Sequence, residues 1–111
     1  MYEEWAARCR ALGHPARLQI LDLLRRGEVC VCHIVVVMGK RQAYISQQLM
    51  VLREAGLVAT RKEGLRVFYR LADGHVEPLL GAMLGPVPAE APEPLEGCPC
   101  PRCAHLRKAA R

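Results

Sequence analysis

The segment Gln42–Ala55, QAYISQQLMVLREA, closed by Gly56, carries the pattern of an amphipathic helix. Ile45, Leu49 and Leu52 recur at i, i+4 and i+7, one apolar stripe at helical spacing. Gln42, Tyr44, Ser46, Gln47 and Arg53 fall on the opposite face, and Gly56 stands where a helix C-terminal glycine belongs. Amides, a hydroxyl and a phenol are groups that read base edges, since glutamine pairs bidentately with adenine in the major groove. Lys40 and Arg41 come just before, so the positive end of the helix faces something anionic. The segment reads as a DNA recognition helix. Taken alone it is also compatible with an ordinary helix whose polar face is solvated.

The chain around it bounds the choice. Its 111 residues allow one small domain, and six of its eight prolines lie between Pro86 and Pro101, so the packed part should end near Leu84. A core this thin gains from pairing with a second copy. The formal charge is +5, with Lys40, Arg41, Arg53, Arg61, Lys62, Arg66 and Arg70 set against only Glu54 and Glu63 in the central third. That concentration favours an anionic polymer as partner. The acidic start MYEEW is no signal peptide, and no stretch approaches the roughly 20 apolar residues of a membrane span. A cytoplasmic location is expected, where thiols stay reduced. Cys9, Cys30, Cys32, Cys98, Cys100 and Cys103 therefore read as metal or redox ligands before structural disulfides.

Toward the N-terminus, Trp5, Cys9 and Leu12 mark a first helix over Glu3–Leu12, with Cys9 facing core or interface. Pro15 opens a second helix, capped by His14, with Leu18, Leu21 and Leu24 inward and Gly27 past its end. The β-branched run Val29–Met38, VCVCHIVVVM, would by propensity be a strand. Beyond Gly56, Val58–Lys62 and Arg66–Leu71 look like two strands; Val67, Tyr69 and Leu71 alternate with Arg66, Phe68 and Arg70. A basic hairpin after a basic helix has the form of a wing that grips phosphates. Val76, Leu79, Leu80, Met83 and Leu84 then form the stripe of a last helix, capped by Asp73 or His75 and assigned here to a dimer interface. Residues 1–85 are thus one DNA-binding and dimerisation domain, 86–97 a Pro-rich linker, and 98–111 a Cys-rich tail.

Three pieces narrow the reading: ALxxPxRLxIL from Ala11, CVC at Cys30–Cys32, and LxxLxxAGLVxxRxEGxxxxYxL from Leu49. Together, over about Ala11–Leu84, they resemble the ArsR/SmtB family of dimeric metal-sensing repressors. The resemblance implies a mainly α winged helix-turn-helix, with about five helices and a two-stranded wing, and makes Val29–Met38 a short helix against its propensity. It also implies a homodimer that binds a double-stranded DNA operator when metal-free and releases it when metal binds. Carried over by position, Gln42, Tyr44, Ser46 and Gln47 would contact DNA bases, with Lys40 and Arg41 beside them, and Lys62 and Arg66 would contact phosphate. Tyr44 stands where the family has a small residue. His33 replaces an acidic residue after the CVC pair, which makes a nitrogen ligand conceivable there.

Cys30 and Cys32 are two apart, and in a regular helix their side chains diverge by about 200°. They can share an ion only in a frayed first turn or in a helix distorted by binding, and that distortion would tilt the recognition helix. The arsenic-type members of the family resembled are understood to work this way. The plain alternative is a pair of small apolar residues in a buried segment. Cys98, Cys100 and Cys103 form CxCxxC on the tail, suited to a soft ion or left as an exposed, oxidation-prone segment. Three thiolates around As(III) or Sb(III), or four around Zn(II), Cd(II) or an Fe–S cluster, are the candidate occupants. Asp73 and His75 offer half of the family's last-helix zinc site, but Pro86 and Ala89 cannot supply the rest, and that site is rejected. A thiol-based redox or persulfide sensor, in which Cys30 or Cys32 pairs with a tail thiol, is the competing regulatory reading. A thiol oxidoreductase is disfavoured because no CxxC opens a helix in a βαβ setting.

Overall fold

Residues 1–72 and 74–87, the part that the computed structural model describes, form α1 (Tyr2–Leu12), α2 (Pro15–Leu24), β1 (Val29–Cys30), α3 (Val31–Met38), α4 (Gln42–Glu54), β2 (Val58–Glu63), β3 (Arg66–Leu71) and α5 (Val76–Leu84). This is the expected winged helix-turn-helix with one strand more than expected. The run Val29–Met38 splits: its first two residues obey their β propensity and pair with β3, and only then does the helix begin. The sheet is antiparallel with order β1-β3-β2, so the first cysteine of the CVC motif lies inside it.

Local chemistry sets the helix ends. His14 Nδ1 accepts the Ala16 N–H at 3.2 Å and Pro15 occupies the first helical position, as the sequence indicated. The turn between α3 and α4 contains Gly39 at φ 62, a left-handed conformation that side chains resist. Gly56, at φ 78, closes α4: its N–H donates to Arg53 and that of Leu57 to Leu52, the paired bonds of a Schellman end. His75 precedes α5 but makes no side-chain capping bond, and Asp73, the other candidate, lies outside the described residues.

Ile20, Leu21, Ile34, Ile45, Leu49, Leu52, Leu57 and Leu80 are fully buried and join α2, α3, α4, the sheet and α5 in one core. Burial of each such side chain contributes about 1.5–3 kcal/mol, which is what fixes α4 in place. The stripe of α5 is divided rather than reserved for an interface: Val76 and Leu80 enter the core, while Met83 and Leu84 are exposed. On α1, Leu12 is buried but Cys9 is exposed, so Cys9 is not a core residue of the protomer. Arg25, at the end of α2, bonds Asp22 at 2.9 Å and also donates to the Gly85 carbonyl, tying the end of α5 to the end of α2. Among the described residues no helix is long and apolar enough to cross a membrane. The linker beyond residue 87 and the tail, with Cys98, Cys100 and Cys103, lie outside the described residues.

Candidate nucleic-acid interface and thiol pair

The stripe Ile45, Leu49, Leu52 is buried as its spacing required, which turns Gln42, Ser46, Gln47 and Arg53 outward. Lys40 and Arg41 are exposed in the turn before α4, and Arg41 caps that helix without a side-chain bond. Two exposed cations thus adjoin the N-terminal end of α4, where no side chain caps the helix, a setting that suits a phosphate oxygen. Tyr44 departs from expectation, because its ring is half-buried against the core rather than fully outward.

A residue that periodicity did not single out holds the helix from behind. Gln48 is buried, and its Oε1 accepts Arg17 Nη1 at 3.1 Å. Arg17 Nε donates to the Ala11 carbonyl at 2.6 Å, so one guanidinium satisfies both the C-terminal end of α1 and a buried amide of α4. The signal was present in the sequence, since Gln48 directly precedes the stripe residue Leu49, but an amide there reads equally well as solvated.

On the wing, Lys62 is exposed on β2 as expected. Arg61 is engaged elsewhere: its Nε meets Glu28 at 2.9 Å, its Nη1 meets Glu63 at 2.6 Å, and its guanidinium lies 4.8 Å from the Phe68 ring centre. The bonds to Glu28 and then Glu63 hold its pKa further above the ordinary guanidinium value, so it stays a cation at any accessible pH. Phe68, which alternation placed with the arginines, is buried against Cys30, with Cys32 and Val36 beside them. The outer face of the wing therefore covers the thiol pair.

The two thiols do not diverge. Cys30 is extended (φ −83, ψ 165) and precedes the helix, whereas Cys32 lies in its first turn, and the change of backbone between them turns both side chains to one side. They are joined as a disulfide with Cα atoms 5.4 Å apart, in place of the reduced pair expected. A divergence of about 200° holds for a continuous helix, and this pair straddles a strand–helix junction. Arg66, predicted for phosphate, is half-buried and directs Nη1 to Cys32 Sγ at 3.8 Å. One residue from the proposed DNA surface and one from the proposed ion site are thus in contact. His33 is buried, and among the described residues no group of three or more His, Cys, Asp or Glu side chains is gathered to hold a metal.

Known proteins give the same picture from outside. Residues 14–60 match the model of the bacterial regulatory protein, arsR family. The chain is 44% identical over 80 residues to the biofilm growth-associated repressor of Agrobacterium fabrum, covering 72% of this chain and 68% of that protein. It is 42% identical over 66 residues to the transcriptional repressor SmtB homolog of Synechocystis, covering 60% of this chain and 50% of that one. In structure it is similar to the homodimeric winged helix-turn-helix DNA-binding domain of a possible ArsR-family regulator from Mycobacterium bovis, with TM-score 0.71 and 38% identity over 74% of this chain and 76% of that one. These relatives are DNA-binding regulators, not enzymes. With helix-turn-helix, wing and sequence in agreement, the chain belongs to the ArsR/SmtB family of winged helix-turn-helix transcriptional repressors.

Proposed function

We propose that this chain is a cytoplasmic, homodimeric repressor that reads double-stranded DNA through α4, grips phosphate with the wing, and leaves its operator when a soft ion is captured by thiolates. The outward set Gln42, Ser46 and Gln47, with the half-buried Tyr44 at its edge, supplies base contacts; Lys40, Arg41, Lys62 and Arg66 supply the electrostatic grip. The observation that carries the sensing half is the convergence of Cys30 and Cys32 at the start of the helix-turn-helix. Two sulfurs within bonding reach of each other can chelate one ion, and reduced thiolates favour As(III), Sb(III), Cd(II) or Zn(II) over hard cations. Such an ion supplies only a bridge between sulfurs. Two ligands are not a closed site, so Cys98, Cys100 or Cys103 is assigned to complete it, within a subunit or across the dimer.

The test is the pair of exchanges Cys30→Ser and Cys32→Ser. Operator affinity of the double variant should stay within about twofold of the parent, and release by arsenite or Cd(II) should be lost. Release that persists unchanged removes the α3 thiols from the sensing site.

A second reading draws on the disulfide itself. Here the dithiol loses two electrons and two protons to a peroxide or disulfide oxidant and closes on itself, with no third sulfur. Dithiothreitol, which cleaves a disulfide, would then restore DNA binding under conditions where a metal chelator would not.

A further inference from the structure

We propose that Arg66 is shared between two acceptors, the sulfur of Cys32 and a DNA phosphate, and that it can serve only one at a time. This deepens the reading above, and rests on it only for what occupies the thiols. The sulfur contact is long, 3.8 Å, and the sulfur is neutral while the disulfide is closed, so this bond yields easily to a phosphate. Arg66 also borders an open cleft of about 540 Å³ lined by Glu63, Gly64, Leu65 and Phe68, which leaves its guanidinium room to swing.

Three features make the exchange consequential. Arg61 is held by Glu28 and Glu63, so phosphate contact from this part of the wing falls to Lys62 and Arg66. Cys30 is the ladder partner of Phe68, two residues beyond Arg66 on the same strand, so the thiols and the wing arginine share one rigid register. Cys30 on β1, Phe68 on β3 and Val36 on α3 pack in one cluster with Cys32, and Arg66 on β3 directs its guanidinium to the Cys32 sulfur. An ion-bound thiolate keeps anionic character, and a charge-assisted hydrogen bond is roughly twice as strong as a neutral one. Soft-ion capture therefore draws Arg66 to sulfur and withdraws it from DNA, whereas disulfide closure leaves it available. The two inducing chemistries act on the wing with opposite sign.

Salt dependence on a random-sequence duplex reads this without an operator. A fixed anion, Cys32→Asp, should lower the log–log salt slope by about 0.9 per protomer relative to Cys32→Ser. Adding Arg66→Ala to both should erase the difference, while adding Lys62→Ala should leave it intact. A general charge effect of the aspartate would survive Arg66→Ala, and that result overturns the proposal, as does an equal slope for the Asp and Ser variants. Should circular dichroism show that Cys32→Asp fails to fold, Cd(II)-loaded and Cd(II)-free reduced protein, with and without Arg66→Ala, decide the question by the same criterion. If thiolate–Cd(II) charge-transfer absorption never develops, the soft-ion reading fails by itself, and the Asp/Ser comparison still judges Arg66.

Discussion

Arg17 shows how one side chain can decide whether a reading surface exists. Its guanidinium serves the carbonyls of Ala11 and Arg10 and the buried Oε1 of Gln48, so α1 and α4 are joined behind the exposed polar face of α4. Arg17→Ala leaves a buried amide oxygen unmatched, at a cost of about 1–3 kcal/mol. Thermal unfolding should fall by several degrees, about 4–8 °C per kcal/mol in a domain this size. Adding Gln48→Leu removes the orphaned amide, so the double variant should lose less than the sum of the two single losses. A strictly additive pair would mean that the bond contributes nothing beyond its separate ends.

The division of labour on DNA proposed for the helix and the wing is measurable. Gln47→Ala, on the outward face of α4, should cost about 1–3 kcal/mol on the operator and relax base choice at one position. Lys62→Ala, on β2, should weaken operator and random DNA alike and flatten the salt slope by about 0.9 for each phosphate no longer neutralised. Binding isotherms on both duplexes at several salt concentrations separate the two behaviours, and identical profiles would dissolve the division between helix and wing. Most of this arrangement was legible in the residues. The stripe Ile45, Leu49, Leu52 located α4 because its period is imposed by burial, and the alternation from Arg66 to Leu71 located β3 although both faces of that strand are partly covered. What periodicity missed was decided by tertiary partners. Val29 and Cys30 take strand geometry because β3 offers a ladder, and Phe68 is buried because the thiols lie over it. Neither partner is visible from local spacing, and so the contact of Arg66 with Cys32 could not be anticipated.

At the scale of the whole molecule, the exposed end of α5 concentrates apolar surface. Met83 and Leu84 are exposed at its C-terminal end, and Val87 follows. In a domain with so small a core, covering this surface with a second copy adds stability as well as valency. Met83→Glu with Leu84→Glu should shift the protein to monomer in sedimentation while the far-ultraviolet spectrum is retained, since Val76 and Leu80 still hold α5 to the core. Operator affinity should then drop by roughly 10²-fold or more as bivalence is lost. A variant that stays dimeric would move the interface elsewhere.

The clamp from Arg25 to the Gly85 carbonyl has a consequence for how two protomers address DNA. With Val76 and Leu80 seated at one end of α5 and Gly85 tied at the other, the helix has no hinge against its own domain. A pair joined through α5 would carry both recognition helices on a stiff frame. The separation of half-sites is then set by the protein, in steps of one turn of B-DNA, about 34 Å. Half a turn of extra duplex between them would carry the second half-site to the far side of the helix, where no bending of this frame could follow.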